Sequence, residues 1–167
     1  MDAGTATAHD VPARPDWQVR AGTLEDVPAV VAAVSDLVVE LGGRPPERSA
    51  AETSARELIE DPHLGCVIVA ADREAIVGVL AASWQTAIHA AGPYALIQDL
   101  WVRSDRRSGE VGSQLVEALI SHVKSLGMRR IEVGLPSESF AALAATEAFY
   151  SKNEFELLGP RMRRLIG

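Results

Sequence analysis

Two apolar runs joined by a very short connection constrain the fold of this chain more than any other sequence feature. Residues 66–71 and 75–84 are rich in aliphatic and β-branched side chains, and only Asp72, Arg73 and Glu74 separate them. Parallel strands need a crossover of a dozen or more residues, whereas antiparallel strands can be joined by a tight turn. The pair therefore predicts a β-hairpin, and with it a sheet that is at least partly antiparallel.

The segments around the hairpin alternate between helical and extended patterns. Helices are expected at residues 24–41, 47–60, 111–126 and 139–152. Further strands are expected at 17–21, 94–102, 130–135 and, as a short pair, within 155–166. No second apolar core and no internal repeat are visible. This order predicts one mixed α/β sheet covered by helices.

Composition and charge limit the classes of function. The chain has 167 residues, a length typical of one domain, and a net charge of −7 from 16 basic and 23 acidic side chains. Phosphate binding depends on lysine and arginine, so this balance argues against a nucleic-acid partner. The longest largely apolar stretch, 75–84, is far shorter than the roughly 20 residues of a membrane-spanning helix, so no membrane partner is expected.

The N-terminal segment and the single cysteine suggest further expectations. Residues 1–15 lack apolar periodicity, and we expect a disordered tail there before a single domain over 16–167. The first sixteen residues hold no basic segment followed by an apolar one, so a cytoplasmic location is expected. Cys66 lies in an apolar run and is expected to pack as a small hydrophobic residue rather than to act as a nucleophile.

One loop has the composition of an anion-binding site. The expected strand that ends at Val102 runs into a loop with Arg103, Arg106, Arg107 and Gly109, and a helix follows. A helix N-terminus offers unpaired N–H groups and the positive end of the helix dipole, and arginines add charge-assisted hydrogen bonds. The segment indicates binding of a phosphate ester, although a solvated basic loop that only caps the helix has the same composition.

This loop resembles the pyrophosphate loop of the GNAT superfamily of acyl-CoA-dependent N-acyltransferases. The family pattern is Arg or Gln, two variable residues, Gly, one variable residue, and Gly or Ala; residues 107–112 read Arg-Ser-Gly-Glu-Val-Gly. Residues 148–155, Ala-Phe-Tyr-Ser-Lys-Asn-Glu-Phe, are similar to the family's Phe-Tyr…Gly-Phe end. The resemblance covers almost the whole chain from Trp17. It implies a GNAT-like mixed α/β fold, with a mostly antiparallel sheet of six to seven strands flanked by about four helices.

The resemblance also implies an activity and its site. The expected reaction is direct attack of a primary amine, on a small molecule or a peptide, on the thioester of acetyl-CoA, whose pantetheine chain would lie between splayed strands at 96–102 and 130–135. A backbone N–H near Leu100 or Trp101 would polarise the thioester carbonyl. Tyr150 matches the family tyrosine that protonates the departing thiolate. The implied cofactor-binding residues are Leu100, Trp101, Val102, Arg107, Ser108, Gly109, Glu110, Val111, Gly112 and Ser113.

Proton transfer is needed on both sides of this reaction. A phenol with a pKa of about 10 holds its proton at pH 7 and can donate it. An amine with a pKa near 10.4 is almost wholly protonated there, so a base or a proton-conducting water is expected. Asp99 is the candidate: simple strand alternation puts it beside Trp101, although a β-bulge would change that assignment. From the residues alone, an ordinary half-buried aromatic is the favoured interpretation of Tyr150, and a structural carboxylate fits Asp99 as well as a base does.

Two glutamates stand where the family has glycine. A side chain at Glu110 costs little if its backbone is helical, but a carboxylate about 5 Å from a phosphate would repel it by roughly 3 kcal/mol at an effective dielectric near 20, unless it turns into water. At Glu154 the cost is roughly 1–2 kcal/mol if that residue is left-handed, a geometry that Asn153 could take instead.

These departures leave two alternatives to a CoA-dependent acetyltransferase. One is a catalytically weak binding module of the same fold, and the other is an acyltransferase that uses a non-CoA thioester donor. The sequence leaves a homodimer open. The histidines show no metal-ligand spacing, so no metal is expected; they are His9, His63, His89 and His122.

Overall fold

A computed structural model describes residues 15–107, 109–159 and 164. The strands are β1 (Gln18–Ala21), β2 (Gly65–Ala71), β3 (Ile76–Ala87), β4 (Gly92–Val102) and β5 (Ile131–Val133). The helices are α1 (Val27–Glu40), α2 (Arg48–Glu60), α3 (Val111–Ser125) and α4 (Leu143–Lys152). The tail predicted at 1–15 lies, apart from Pro15, outside the described residues. Ser108 and most of the segment after Gly159 also lie outside them.

The strands form one sheet in the order β1-β2-β3-β4-β5, with antiparallel pairing throughout except between β4 and β5, which are parallel. The predicted hairpin is present, because β2 and β3 pair antiparallel across the 72–74 connection. Backbone N–H groups of Glu74 and Ala75 donate to the Asp72 carboxylate at 2.9 and 2.8 Å, which fixes this turn. The predicted class, a GNAT-like mixed α/β fold with a mostly antiparallel sheet and four helices, is confirmed.

The sheet has five strands within the described residues, where six or seven were expected. Residues 155–159, the start of the expected terminal pair, form no regular secondary structure. The remainder of that pair falls almost entirely outside the described residues. Helix α4 begins at Leu143, four residues later than the predicted start at 139, because residues 137–143 form successive single turns with bonds from Phe140 to Ser137 and from Leu143 to Phe140.

Two apolar clusters lie on opposite faces of the sheet. Helix α3 packs on one face, where Leu115 and Leu119 are fully buried against Val77, Leu80 and strand β4. Helices α1 and α2 cover the other face, where Val27, Val30 and Ala55 pack with Val69, Val79 and Trp101. Because β-strand side chains alternate, the central strands β2, β3 and β4 supply both clusters. Within the described residues, no helix combines the length and apolarity that a membrane span requires.

Candidate active site

Strands β4 and β5 separate partway along β4. Their parallel register runs from Ala95 opposite Ile131 to Ile97 opposite Val133, where β5 ends, while β4 continues to Val102. The second half of β4 therefore has no strand on this edge within the described residues. This open edge, residues 98–102, lies within one of the two segments for which the family resemblance implied splayed strands.

A β-bulge at Gln98 marks the start of the open edge. On β3, Ala82 pairs with Ile97 and Ala81 pairs with Asp99, so Gln98 has no partner in the ladder. A bulge shifts side-chain alternation by one residue. Ile97 accordingly lies in the α3-side cluster, whereas Asp99 faces α1 and α2. Trp101 belongs to the α1/α2-side cluster as well, so Asp99 and Trp101 share a face as expected.

The direction of the β4 backbone identifies the N–H groups that face the open edge. The N–H of Arg103 donates to the carbonyl of Val77 at 2.9 Å, so it points toward β3. Successive residues of a strand point their N–H groups to opposite edges. Trp101 therefore directs its N–H to β3, and Leu100 and Val102 direct theirs away from it. Of the two residues expected to polarise a carbonyl, the geometry favours Leu100.

The N-terminus of α3 is open where the chain leaves β4. The first intrahelical hydrogen bond runs from the N–H of Gln114 to the carbonyl of Glu110 at 2.9 Å, which leaves the N–H groups of Val111, Gly112 and Ser113 without intrahelical partners. The Glu110 side chain does not cap the helix, and it is exposed. Its backbone, with φ −89° and ψ 3°, is compatible with any L-residue. A glycine is therefore not required at position 110.

Gly112 is required for packing rather than for backbone freedom. A β-carbon at this position would lie 3.0 and 3.2 Å from ring atoms of Phe149. The missing side chain lets α3 approach α4 next to Tyr150. Gly109 has a looser environment, with the carbonyl of Arg106 at 3.3 Å from the position of a β-carbon.

The three loop arginines already have carboxylate partners. Arg107 donates from Nη2 to both oxygens of Glu40, at 2.6 and 2.9 Å, and from Nε to the carbonyl of Val102 at 2.8 Å. Arg106 makes two hydrogen bonds of 2.8 Å with Asp16, and Arg103 bonds Asp105 at 2.7 Å. All three lie on or near the protein surface, where such pairs exchange readily.

Tyr150 is buried at the C-terminal end of α4. Its ring packs edge-to-face on Phe149 and Phe155, with centroid distances of 5.1 and 5.3 Å. Only 8% of the residue is exposed, and its hydroxyl has no hydrogen-bond partner among the described residues. Burial raises the pKa of Tyr150 to about 12, so the phenol is protonated throughout the physiological range.

A Schellman motif after α4 holds Tyr150 in place. The N–H of Phe155 donates to the carbonyl of Tyr150 at 3.0 Å, and the N–H of Glu154 to that of Ser151 at 3.1 Å. Glu154 takes the left-handed conformation, with φ 65°. Asn153, the residue expected to relieve it, has φ −94°. The predicted strain at Glu154 is therefore present.

Asp99 lies in the wall of an apolar cleft of about 290 Å³ between the sheet and helices α1 and α2. Val30, Val31 and Ala81 are among the buried residues lining it, and Ala50 is an exposed one. Asp99 makes no hydrogen bond or ion pair with any residue that the structure describes. Desolvation raises the pKa of its carboxyl group above the ordinary value.

The structure places the two predicted catalytic residues on opposite faces of the sheet. Tyr150 belongs to the α3-side cluster with Ile97, while Asp99 lies in the α1/α2 cleft. They can serve one reaction only across the open edge, because there the sheet no longer separates its two faces. Sequence reasoning missed Glu40 and the α2 side of the cleft, since both contribute through tertiary contacts that no local motif signals.

Two other chemistries receive no support. Burial raises the pKa of the Cys66 thiol to about 12, so it is not a ready nucleophile. Within residues 15–107 and 109–159, no group of three or more His, Cys, Asp or Glu side chains is arranged to hold a metal ion.

Comparison with known proteins relates this geometry to a family. The model of the acetyltransferase (GNAT) family matches residues 33–155. An integron cassette protein from the mobile metagenome of Cole Harbour Salt Marsh is 26% identical, with a TM-score of 0.71 covering 90% of this chain and 88% of that one. A transcriptional regulator from Bacillus halodurans C-125 is 21% identical, with a TM-score of 0.75 covering 90% and 99%. A predicted acetyltransferase from Clostridium acetobutylicum, solved with acetyl-CoA, is 12% identical, with a TM-score of 0.72 covering 89% and 96%. No curated protein sequence matches the chain.

Proposed function

The chain belongs to the acetyltransferase (GNAT) family, and we propose that it transfers an acetyl group from acetyl-CoA to a primary amine by direct attack. One observation carries this proposal: the chain runs from the open edge of β4, through the loop after Val102, to the N-terminus of α3, which has no side-chain cap. The edge offers backbone groups to an extended amide chain, and the helix offers three N–H groups to a pyrophosphate.

The donor residues have distinct tasks in this account. The N–H groups of Val111, Gly112 and Ser113 bind phosphate oxygens, and Arg107 adds charge once it exchanges Glu40 for a phosphate. The N–H of Leu100 donates to no neighbouring strand within the described residues, so it can donate to the thioester carbonyl. The other predicted donor residues, Trp101, Val102, Gly109 and Glu110, then shape the strand end and the loop between these two groups. Ser108, also predicted, lies outside the described residues.

The acceptor side requires removal of a proton from an ammonium ion. Asp99 binds the ammonium group of the substrate, since it has no cation partner among the described residues. One proton of the ammonium group then passes to Asp99 or to water. The amine nitrogen then forms a bond to the thioester carbonyl carbon, and the carbon–sulfur bond breaks. Tyr150 donates its phenolic proton to the departing sulfur, and the nitrogen releases its second proton, which returns through water to the Tyr150 phenolate. The products are an amide and a free thiol, and the phenol is restored.

Carboxylate pairing of the loop arginines favours a second candidate. If the ion pairs of Arg103, Arg106 and Arg107 persist, the donor site is weak, and the protein is a binding module of this fold or takes a thioester without a nucleotide. The exposed position of Glu110 argues the other way, because its charge can turn into water rather than face a phosphate.

Thermal melting with acetyl-CoA and with S-acetylpantetheine, which lacks the pyrophosphate, separates these candidates. A ligand present at 100 times its Kd adds about 2.7 kcal/mol to the free energy of unfolding. For a chain of this size, that raises the Tm by about 5–10 °C. We expect this shift with acetyl-CoA and a much smaller one with S-acetylpantetheine at equal concentration. Equal shifts, or none with acetyl-CoA, would favour the second candidate.

A matched pair of charge variants tests the helix N-terminus itself. Ser113→Glu adds a carboxylate in the first turn of α3, where it suits the helix dipole but repels a pyrophosphate. Thr53→Glu makes the same charge change at an exposed position of α2. Ser113→Glu is expected to weaken acetyl-CoA binding at least tenfold and Thr53→Glu to leave it unchanged. Equal affinities would remove α3 from the donor site.

A further inference from the structure

The cleft that contains Asp99 has an unusual balance of polar and apolar groups. Apart from Asp99 and Ser54, every side chain that lines it is Val, Ala, Leu or Pro. The Ser54 hydroxyl donates its proton to the carbonyl of Ala50 one turn earlier at 3.2 Å, so it offers a ligand only its oxygen, as an acceptor. Asp99 is thus the one charged group that the cleft offers to a bound molecule.

The size of the cleft sets the size of its occupant. An apolar cavity of about 150 Å³ holds benzene, a molecule of six carbon atoms. The volume here is about 290 Å³, room for an occupant of about ten non-hydrogen atoms. The floor is formed by buried residues such as Val30, Val31 and Val67, and the exposed Pro46 and Ala50 lie at the rim.

We infer that the acceptor is a compact monoamine with an apolar body, which lies against α1 and α2 with its ammonium group on Asp99. This inference rests on the proposed acetyl transfer and names the substrate class for the same site. The apolar body replaces water along the valine and alanine wall, and the single charge of the substrate meets the single charge of the cleft.

The same geometry excludes more polar amines. A polyamine or an amino sugar would carry further ammonium or hydroxyl groups against a wall that offers them, besides Asp99, only the hydroxyl oxygen of Ser54 among its side chains. A buried polar group without a partner lowers affinity strongly, and more so when it is charged. The position of Asp99 also fits the chemistry, since its neighbour Leu100 directs its N–H to the open edge of β4.

Desolvation supports a cationic ligand at this carboxylate. The raised pKa of Asp99 reflects burial without a compensating cation, and an ammonium group supplies that cation. No neighbouring side chain supplies this cation, because no ion pair joins Asp99 to any side chain that the structure describes.

The test is calorimetric titration of the full chain, with and without saturating CoA, using 2-phenylethylamine as the probe. Spermidine tests the polyamine class, and 2-phenylethanol, which has the same apolar body without the charge, is the neutral control. We expect 2-phenylethylamine to bind at least tenfold more tightly than either. Spermidine binding as tight as that of 2-phenylethylamine, or tight binding of the alcohol, would overturn the inference.

Three variants locate the binding. Asp99→Asn removes the charge, and Ala50→Phe fills the cleft from α2. Each change is expected to weaken the binding of 2-phenylethylamine at least tenfold. Ala32→Phe, at an exposed position of α1 that does not line the cleft, is the control and should bind like the wild type. Unchanged affinity in either Asp99→Asn or Ala50→Phe would overturn the inference, so the test still works if the other variant folds poorly.

Failure of this inference is distinguishable from failure of the proposed function. Acetyl-CoA binding and thiol release with spermidine, but not with 2-phenylethylamine, would refute the substrate class and leave acetyl transfer standing. Asp99-dependent binding of 2-phenylethylamine without any acetyl-CoA binding would refute the transfer and leave the amine site standing.

Discussion

Replacement of Tyr150 by phenylalanine tests the chemistry while leaving the packing intact. The ring contacts with Phe149 and Phe155 do not involve the hydroxyl, which has no hydrogen-bond partner among the described residues. Loss of a positioned proton donor lowers turnover by about 10²–10³-fold, while acetyl-CoA affinity should hardly change. Tyr94→Phe, the matched change at the only other tyrosine, should retain activity.

The pKa of Tyr150 gives this prediction a pH dependence. With a pKa of about 12, the phenol is still protonated in about 99% of molecules at pH 10, whereas an ordinary phenol would be half ionised. Wild-type kcat should therefore show no loss from this group up to pH 10. Turnover of Tyr150→Phe within threefold of wild type would remove Tyr150 from the mechanism.

Stability supplies an independent check of the same pKa. The folded-state pKa lies above the unfolded value, so the folded protein binds the proton more tightly and loses stability as the pH rises from about 10 toward 12. At pH 11 the loss relative to pH 8 is about 1.4 kcal/mol. Urea unfolding should show this loss in wild type and in Tyr94→Phe but not in Tyr150→Phe. Equal losses in all three proteins would refute the burial argument.

Three further changes have defined outcomes. Glu154→Gly removes the strain of a left-handed residue, about 1–2 kcal/mol, but the greater freedom of glycine in the unfolded chain costs about 0.4–1 kcal/mol. Urea unfolding should therefore show a free energy of unfolding higher by about 0.5–1 kcal/mol, and a lower value would contradict the strain. Glu40→Gln frees Arg107 from an exposed ion pair and should tighten acetyl-CoA binding about 1.5- to 5-fold by calorimetry, and weaker binding would show that Glu40 orients Arg107 for the donor. Because Glu110 is exposed, Glu110→Gly should change the acetyl-CoA Kd less than threefold, whereas a tenfold tightening would identify its carboxylate as a repulsive group.

Local patterns were sufficient to predict the elements that position the site. The 72–74 connection predicted the hairpin, and the apolar spacing after Val111 predicted α3, which begins there. Both depend on interactions within a few residues along the chain. The prediction of a strand beginning at Phe155 was wrong for residues 155–159, which form no strand. Phe155 is apolar because its ring packs on Tyr150 in the Schellman motif.

Tertiary contacts account for what the sequence did not reveal. The bulge at Gln98 depends on the register with β3, and without it Asp99 would face α3 with Ile97. The pairing of Arg107 with Glu40 joins residues 67 positions apart, so no motif could indicate it. The cleft around Asp99 likewise requires α2 to pack beside α1. The roles of Tyr150 and Asp99 in catalysis stay predictions.

The most direct test of the account follows the acetyl group itself. Acetyl-CoA labelled with ¹³C at the thioester carbonyl is incubated with the protein and 2-phenylethylamine, and the carbonyl signals are recorded by NMR. The account predicts an amide carbonyl signal that grows in equal amount with free CoA thiol and depends on Tyr150. Unchanged acetyl-CoA in the presence of every amine tested, or label released only as free acetate, would contradict it.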